Sequence, residues 1–222
     1  MKIDVLTVFP EIYSVLESGI IGKALEKKLF DVNVVNVRDY SEDKHKKTDD
    51  YPFGGGAGMV MLCQPLVSAI RAVDPDRKAK RIYLSPQGKR LNQNRVKELA
   101  KEENLLLVNG SYEGIDQRVI DLEIDEEVSI GDYVMTCGDL GSLVLINCVA
   151  RYIEGVLGSE ASTDEESFEN NLLEYPQYTR PQSFEGLEVP EVLLSGNHKK
   201  IKDWRDMMSL EVTRKKRPDL LK

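Results

Sequence analysis

Residues 104–141 read NLLLVNGSYEGIDQRVIDLEIDEEVSIGDYVMTCGDLG, and their pattern decides the fold. The apolar run 104–108 has the length and composition of a buried strand. A glycine turn, a short helix and an acidic strand follow. A second glycine turn then opens an apolar helix over 139–154, hydrophobic on most faces and so expected to pack on two sides. Two glycine turns this close bring backbone N–H and C=O groups to one surface, which predicts a binding floor made of main chain. Neither turn has the Lys-Ser/Thr of a phosphate-binding loop or the G-x-G-x-x-G dinucleotide pattern.

Working outward, strands are expected at 2–9, 32–38 and 81–85. Helices are expected at 11–29 (broken at Gly19 and Gly22), 64–73 and 92–101, with Pro65 suited to a first helical turn. This alternation from residue 2 to 154 predicts an α/β domain: a largely parallel sheet with helices on both faces. The stretch 159–171, SEASTDEESFENN, is polar and acidic and reads as a mobile linker. A proline-rich segment and a basic helix over 198–216 follow. The domains expected are 1–158, the linker 159–171, and a small, mostly helical domain over 172–222.

A chain of 222 residues, 41% hydrophobic and 31% charged, is long enough to bury a real core. No apolar run approaches the roughly 20 residues of a membrane span. Asp4 and Glu11 interrupt the N-terminal segment, which reads as a first strand and not a signal peptide. Cys63, Cys137 and Cys148 form no C-x-x-C pair, so neither a disulfide framework nor a zinc site is expected, and reducing cytoplasm is the inferred location. Net charge is −8. Basic residues nevertheless cluster at 44–47, 77–81, 198–205 and 214–217. Each cluster alone reads as solvated surface, but the last two, around Trp204, point to a polyanionic partner.

In an open α/β sheet ligands sit beyond the carboxyl ends of the strands. Three loops qualify: 84–88, 109–114 and 129–141. One glycine turn needs no ligand to explain it; three after successive strands favour one. Tyr83, Tyr112 and Tyr133 could pack on a flat ring. Four glycines in the five residues 54–58, within 49-DDYPFGGGAGMVM-61, run straight into an apolar segment, as a lid that orders over a substrate would. Arg151, on the buried-looking helix, needs a partner: Glu154, the acidic strand, or negative charge developing on a substrate.

The segments 49-DDYPFGGGAGM-59, 83-YLSPQG-88, 112-YEGIDQRV-119, 123-EIDEEVSIGDYV-134, 178-YTRP-181 and 193-LLSGNH-198 together resemble bacterial tRNA (guanine-N1)-methyltransferases of the TrmD family, in the SPOUT superfamily. The resemblance spans nearly the whole chain. It implies methylation of guanosine 37 of tRNA, beside the anticodon, with S-adenosylmethionine as donor. It also implies a trefoil knot around the donor loops and a homodimer whose active site is shared between subunits.

Matched position by position, the donor cradle falls on Tyr83, Leu84, Pro86 and Gly88, on Gly110, Tyr112 and Glu113, and on Ile130, Gly131, Asp132, Tyr133, Val134, Met135 and Gly138. Contacts to tRNA fall on His45, Asp49, Asp50, Gly55, Gly58 and Met59, and on Ser195, Asn197 and His198. Arg151 matches the arginine that stabilises charge on the base. Glu166 matches the general base, usually an aspartate, with Asp164 as its rival. The family responds to magnesium, which the resemblance places among Glu113, Glu166 and substrate oxygens, with no preformed cage. Ser111 and Cys137 stand where arginine and glycine are usual. Two other readings stay open at this point: a non-catalytic RNA-binding relative, and a nucleotide-binding α/β enzyme such as a kinase, which the missing GK[S/T] disfavours.

Overall fold

The computed structural model describes residues 1–158 and 166–221, so Asp164 and Glu165 lie outside the described residues. The chain forms two compact units, Met1–Leu157 and Gly158–Lys222. The first holds a five-stranded sheet: β1 (Lys2–Thr7), β2 (Asp31–Asn36), β5 (Lys80–Arg90), β6 (Asn104–Asn109) and β7 (Glu126–Ser129), in the order β2-β1-β6-β5-β7. Every pairing in it is parallel. The two short strands between, β3 (Asp49–Asp50) and β4 (Val60–Met61), form a separate antiparallel hairpin.

Strand alternation assigns each apolar residue to a face. Leu105 and Leu107 join Ile3, Val5, Ile82 and Val128 in one core cluster. That cluster is covered by the 3₁₀ segment Pro10–Glu17 and by α1 (Gly19–Glu26), α3 (Gln93–Leu99) and α5 (Asp139–Ala150). Leu106 and Val108 point the other way, toward Leu66, Ala69 and Ile70 of α2 (Cys63–Val73) and Val119 of α4 (Gln117–Glu123). The central strand β6 is therefore buried on both sides, which explains its nearly continuous apolar run.

Several expectations need correction. The helix predicted over 11–29 is a 3₁₀ segment and then α1, joined through Ser18 and Gly19, whose φ is +66°. Gly22 does not break it. A Cβ there would stand 2.1 Å from the Glu17 carbonyl oxygen, so Gly22 lets α1 close on the preceding segment. The glycine-rich segment 49–61, read as a lid, is framed by β3 and β4. The helix expected to reach 154 ends at Ala150, with Arg151 at its C-cap. Within this chain α5 packs on one side only: Leu145, Ile146 and Val149 are buried, while Leu140 and Val144 are exposed.

In the second unit, β8 (Ser183–Phe184) and β9 (Leu187–Glu188) make a tight hairpin, turned by Glu185 and Gly186 at positive φ. Helices α6 (Glu191–Leu194) and α7 (His198–Lys216) follow. Asn197 caps α7, its side chain accepting from the Lys200 N–H. Of the expected linker, Phe168 donates its N–H to the Leu172 carbonyl at 2.6 Å, around the short helical turn Glu169–Asn171.

Candidate functional site

The first wall of the site is a bulge in β5. Leu84 and Lys89 both register against Val128 of β7, so residues 85–88 are expelled from the ladder. Ser85 Oγ accepts the Gln87 N–H at 3.1 Å and folds the bulge back on itself. Gly88 makes this possible, since a Cβ there would lie 2.4 Å from the Glu127 carbonyl carbon. Leu84, Ser85, Pro86 and Gln87 face a cavity of about 240 Å³.

The second wall begins where β6 ends. A Cβ on Gly110 would meet the Tyr83 hydroxyl at 2.7 Å, so backbone faces the cavity here. Tyr83 is thus the buried floor beneath the glycines, and its ring is not the free flat surface the sequence suggested. Burial raises its hydroxyl pKa, and Glu127 adds to this. Tyr112 has φ +59°, the left-handed region that bulky residues rarely enter. It lines the cavity with Glu113.

The third wall, 129–138, is held by its own short contacts. Ser129 Oγ donates to the Gly131 carbonyl at 3.0 Å, and the Tyr133 hydroxyl donates to the Ile130 carbonyl at 3.3 Å. It returns to the second wall through Gly138 N–H to Gly110 O at 2.8 Å and an antiparallel bridge between Ser111 and Cys137. Behind the junction the Tyr13 hydroxyl donates to Asp139 Oδ1 at 3.0 Å. Asn109 Nδ2 donates to the Tyr13 oxygen at 2.9 Å, and the Ser142 hydroxyl donates to Asn109 Oδ1 at 2.6 Å. Burial, then the Asp139 carboxylate, pushes the Tyr13 hydroxyl far above its usual range, so it stays a donor.

The cavity gathers Tyr83, Leu84, Pro86, Gly110, Tyr112, Glu113, Ile130, Gly131, Tyr133, Val134, Met135 and Gly138 from the sequence reading. Gly88 and Asp132 do not line it: Gly88 packs on β7, and Asp132 is exposed with its carboxylate 3.3 Å from Arg90. Gln87 and Thr136, within the expected loops 84–88 and 129–141, also line it, as do Gln117 and Glu127 from outside the three loops. Gln117 gave no signal as an isolated polar residue. Cys137 reaches the cavity, with its thiol pKa raised by burial. Ser111 is buried, and its hydroxyl has no hydrogen-bond partner among the described residues.

The hairpin β3–β4 is tied to the second wall. Glu113 donates its N–H to the Met59 carbonyl at 2.9 Å, Met61 to Gly114 O at 2.9 Å, and Asp116 to Met61 O at 3.0 Å. A Cβ on Gly58 would meet the Glu113 carboxylate at 2.6 Å. Asp49 is buried at the hairpin's base, while Asp50 and Gly55 are exposed. The Tyr51 N–H, and then Lys47, hold the Asp50 carboxyl below the usual range. His45 is exposed just before the hairpin.

Arg151 is half-buried at the end of α5, and its charge acts on the Cys148 thiol against the burial that raises it. Glu166, Ser195, Asn197 and His198 belong to the second unit, where Glu166 is half-buried and the other three are exposed. Among the described residues no group of three or more His, Cys, Asp or Glu side chains could hold a metal ion. Among them, too, no helix is long and apolar enough to cross a membrane.

A family model described as tRNA (guanine-1)-methyltransferase TrmD matches residues 1–222. A Ruminiclostridium cellulolyticum protein named tRNA (guanine-N(1)-)-methyltransferase is 59% identical over 223 residues, covering 99% of this chain and 96% of that protein. A Clostridium botulinum (strain Hall) protein of the same name is 56% identical over 222 residues, covering 100% of this chain and 92% of its own length. A third, from Clostridium beijerinckii, is 55% identical with the same coverage. On a match of this extent, the chain belongs to the tRNA (guanine-1)-methyltransferase family, TrmD.

Proposed function

We propose that this protein transfers a methyl group from S-adenosylmethionine to N1 of guanosine 37 in tRNA, next to the anticodon. The observation that carries the reading, beside family membership, is the three-walled cavity at the carboxyl ends of β5, β6 and β7. The residues fit such a donor. A Cβ on Gly110 would meet the Tyr83 hydroxyl at 2.7 Å and one on Gly138 would press on Asn109 and Gly110 at 3.2–3.3 Å, so main chain lines the cavity at both, the kind of surface that can read an adenine edge. Leu84, Pro86, Ile130 and Met135 supply apolar lining, and the rings of Tyr112 and Tyr133 supply flat surface. When bound, S-adenosylmethionine supplies an electrophilic methyl group on a sulfonium, whose positive charge the Glu113 carboxylate would offset.

Guanine N1 is protonated and a poor nucleophile, so the chain must remove that proton. Glu166 is our choice for the general base. Negative charge then moves toward O6, where the Arg151 guanidinium stabilises it. The base must leave the anticodon-loop stack to reach the site. The 45–59 segment, through His45, Asp49, Asp50, Gly55, Gly58 and Met59, would meet the tRNA with Ser195, Asn197 and His198. In this reading residues 1–158 hold the donor, 159–171 link, and 172–222 bind tRNA.

The same proposal has a homodimer in which Glu166 of one subunit serves a guanine held mainly by the other. The exposed apolar side chains of Leu140 and Val144 on α5, with Val134 beside the cavity, support it, since a patch of this kind marks an interface. A trefoil knot around the donor loops also belongs to it, supported by the return of 137–138 onto 110–111. Magnesium does not fit a site of protein ligands alone and would need substrate oxygens, so no step is assigned to it. The cytoplasm is the proposed location.

The test is methyl incorporation into unmodified tRNA with guanine at 36 and 37, with the product nucleoside identified. Glu166→Gln and Arg151→Ala should each slow turnover about 10²-fold or more. No incorporation by the wild type sinks the function. Full turnover by Glu166→Gln, with loss in Asp164→Asn, moves the base to Asp164.

A further inference from the structure

The tip of the β3–β4 hairpin carries two large, solvent-exposed aromatic side chains. Phe53 is fully exposed and Tyr51 is 79% exposed. No atom lies within 4 Å of where a Cβ would stand on Gly54 or Gly55, so the tip projects into open space. The chain turns there through Gly55 N–H to Pro52 O, with Gly54, Gly55, Gly56 and Gly58 all at positive φ. An isolated exposed aromatic needs no explanation. Two on one projecting turn, anchored at its root, ask for a ligand.

That root is the wall of the cavity. Glu113 lines the cavity and bonds to Met59, and its carboxylate fills the space a Cβ on Gly58 would need. Phe53 is five residues from Gly58, so it stands within about 17 Å of the cavity wall at full extension. The segment leading into the hairpin, 44–47, is exposed and carries three lysines: Lys44, and Lys46 and Lys47 in surface pairs with Asp39 at 2.6 Å and Asp50 at 3.1 Å, pairs weak enough for a phosphate to exchange into. Aromatic rings beside cations are what a single-stranded nucleic-acid loop needs, rings for base faces and cations for phosphates. Resting on the tRNA reading above, we propose that Tyr51 and Phe53 form a stacking platform for an unstacked base of the substrate loop. The platform holds the loop open while the target base enters the cavity. These two are positioning residues and take no part in the chemistry.

The test uses the full-length protein and an anticodon stem–loop RNA with a fluorescent aminopurine placed at each loop position in turn. Wild type should quench the probe at one or more positions through ring stacking. Phe53→Ala and Tyr51→Ala should abolish that quench and weaken RNA binding by about tenfold to a hundredfold each. Phe53→Trp and Tyr51→Phe should retain both, and calorimetry should give unchanged donor affinity in all four. Alanine variants that bind and quench like wild type overturn the platform. So does wild type that binds no RNA, or alanine variants that turn a dimer into monomers, since the rings would then seat a second copy. Wild type that binds and quenches without transferring methyl defeats the methyltransferase reading and leaves the platform standing.

Discussion

The two ends of β5 solve opposite problems. At its amino end Arg81, 2% exposed, donates to Asp74 Oδ2 and to the Asp74 carbonyl, each at 2.9 Å, and also to Glu123. Asp74 accepts the Lys78 N–H at 2.8 Å, and Glu123 also accepts from Arg71 at 2.7 Å. Buried charge is costly unless it is paired and hydrogen-bonded, and here it is. At the carboxyl end the same strand throws out a bulge, Gly110 and Gly138 leave bare backbone, and Tyr112 sits at a strained φ. One end uses side chains to close the fold. The other keeps side chains away so that main chain can meet a ligand, and strain is tolerated where recognition needs it.

The contrast breaks first at the closed end. Arg81→Ala leaves the buried Asp74 carboxylate without its cation and leaves Glu123 to Arg71 and Arg77 alone, and should cost about 3–5 kcal/mol of stability. Denaturant melts measure this, and donor affinity in the surviving folded fraction should be unchanged. Loss of donor binding along with stability would mean that the two ends are not independent. Gly110→Ala makes the reverse demand. Its Cβ must displace the Tyr83 hydroxyl, an overpacking that costs about 1–3 kcal/mol, and most of it should appear as weaker donor binding in calorimetry. A variant that melts early yet binds the donor normally would refute the backbone cradle.

Acid sharpens the comparison further. Burial alone would raise the Asp74 pKa, but Arg81 and the N–H groups of Lys78 and Ala79 hold it below the usual range. A depressed carboxyl contributes stability that is present above its unfolded pKa, about 4. That contribution is lost as pH falls through the lower folded value. Urea midpoints should therefore fall on acidification below about pH 4, and Asp74→Asn should flatten that part of the profile. An unchanged slope in Asp74→Asn would assign the acid sensitivity elsewhere.

What could be read beforehand followed the local character of each signal. The apolar run 104–108 announced a strand buried on both faces, and strand–helix alternation announced the parallel sheet. The β3–β4 hairpin was hidden because a glycine run has no hydrophobic period. The β5 bulge was hidden because Pro86 and Gly88 look like the end of a strand. Arg81 sat within the basic run 77–81 that reads as solvated surface; its carboxylate partners are distant in sequence. The tie between 109–111 and 137–139 has no local signature, although both glycine turns were visible. Arg151 stood out only as a charge on a buried-looking helix, with a structural partner and a substrate both open; nothing in Glu166 as a single residue predicts a role, and the family motifs made both assignments.

The smallest expected effect probes the strain itself. Tyr112 pays for its left-handed backbone, and its ring is half exposed, so little packing depends on it. Tyr112→Gly removes that steric penalty but adds freedom to the unfolded chain, an entropic offset that keeps the net gain near about 1 kcal/mol or less. The melting midpoint should hold or rise slightly while donor affinity falls with the lost ring. A clear drop in stability would show that Tyr112 is held for packing and would remove the strained residue from the recognition side of the comparison. Stability held with affinity lost would show that the open end carries a small energetic burden for the sake of its ligand.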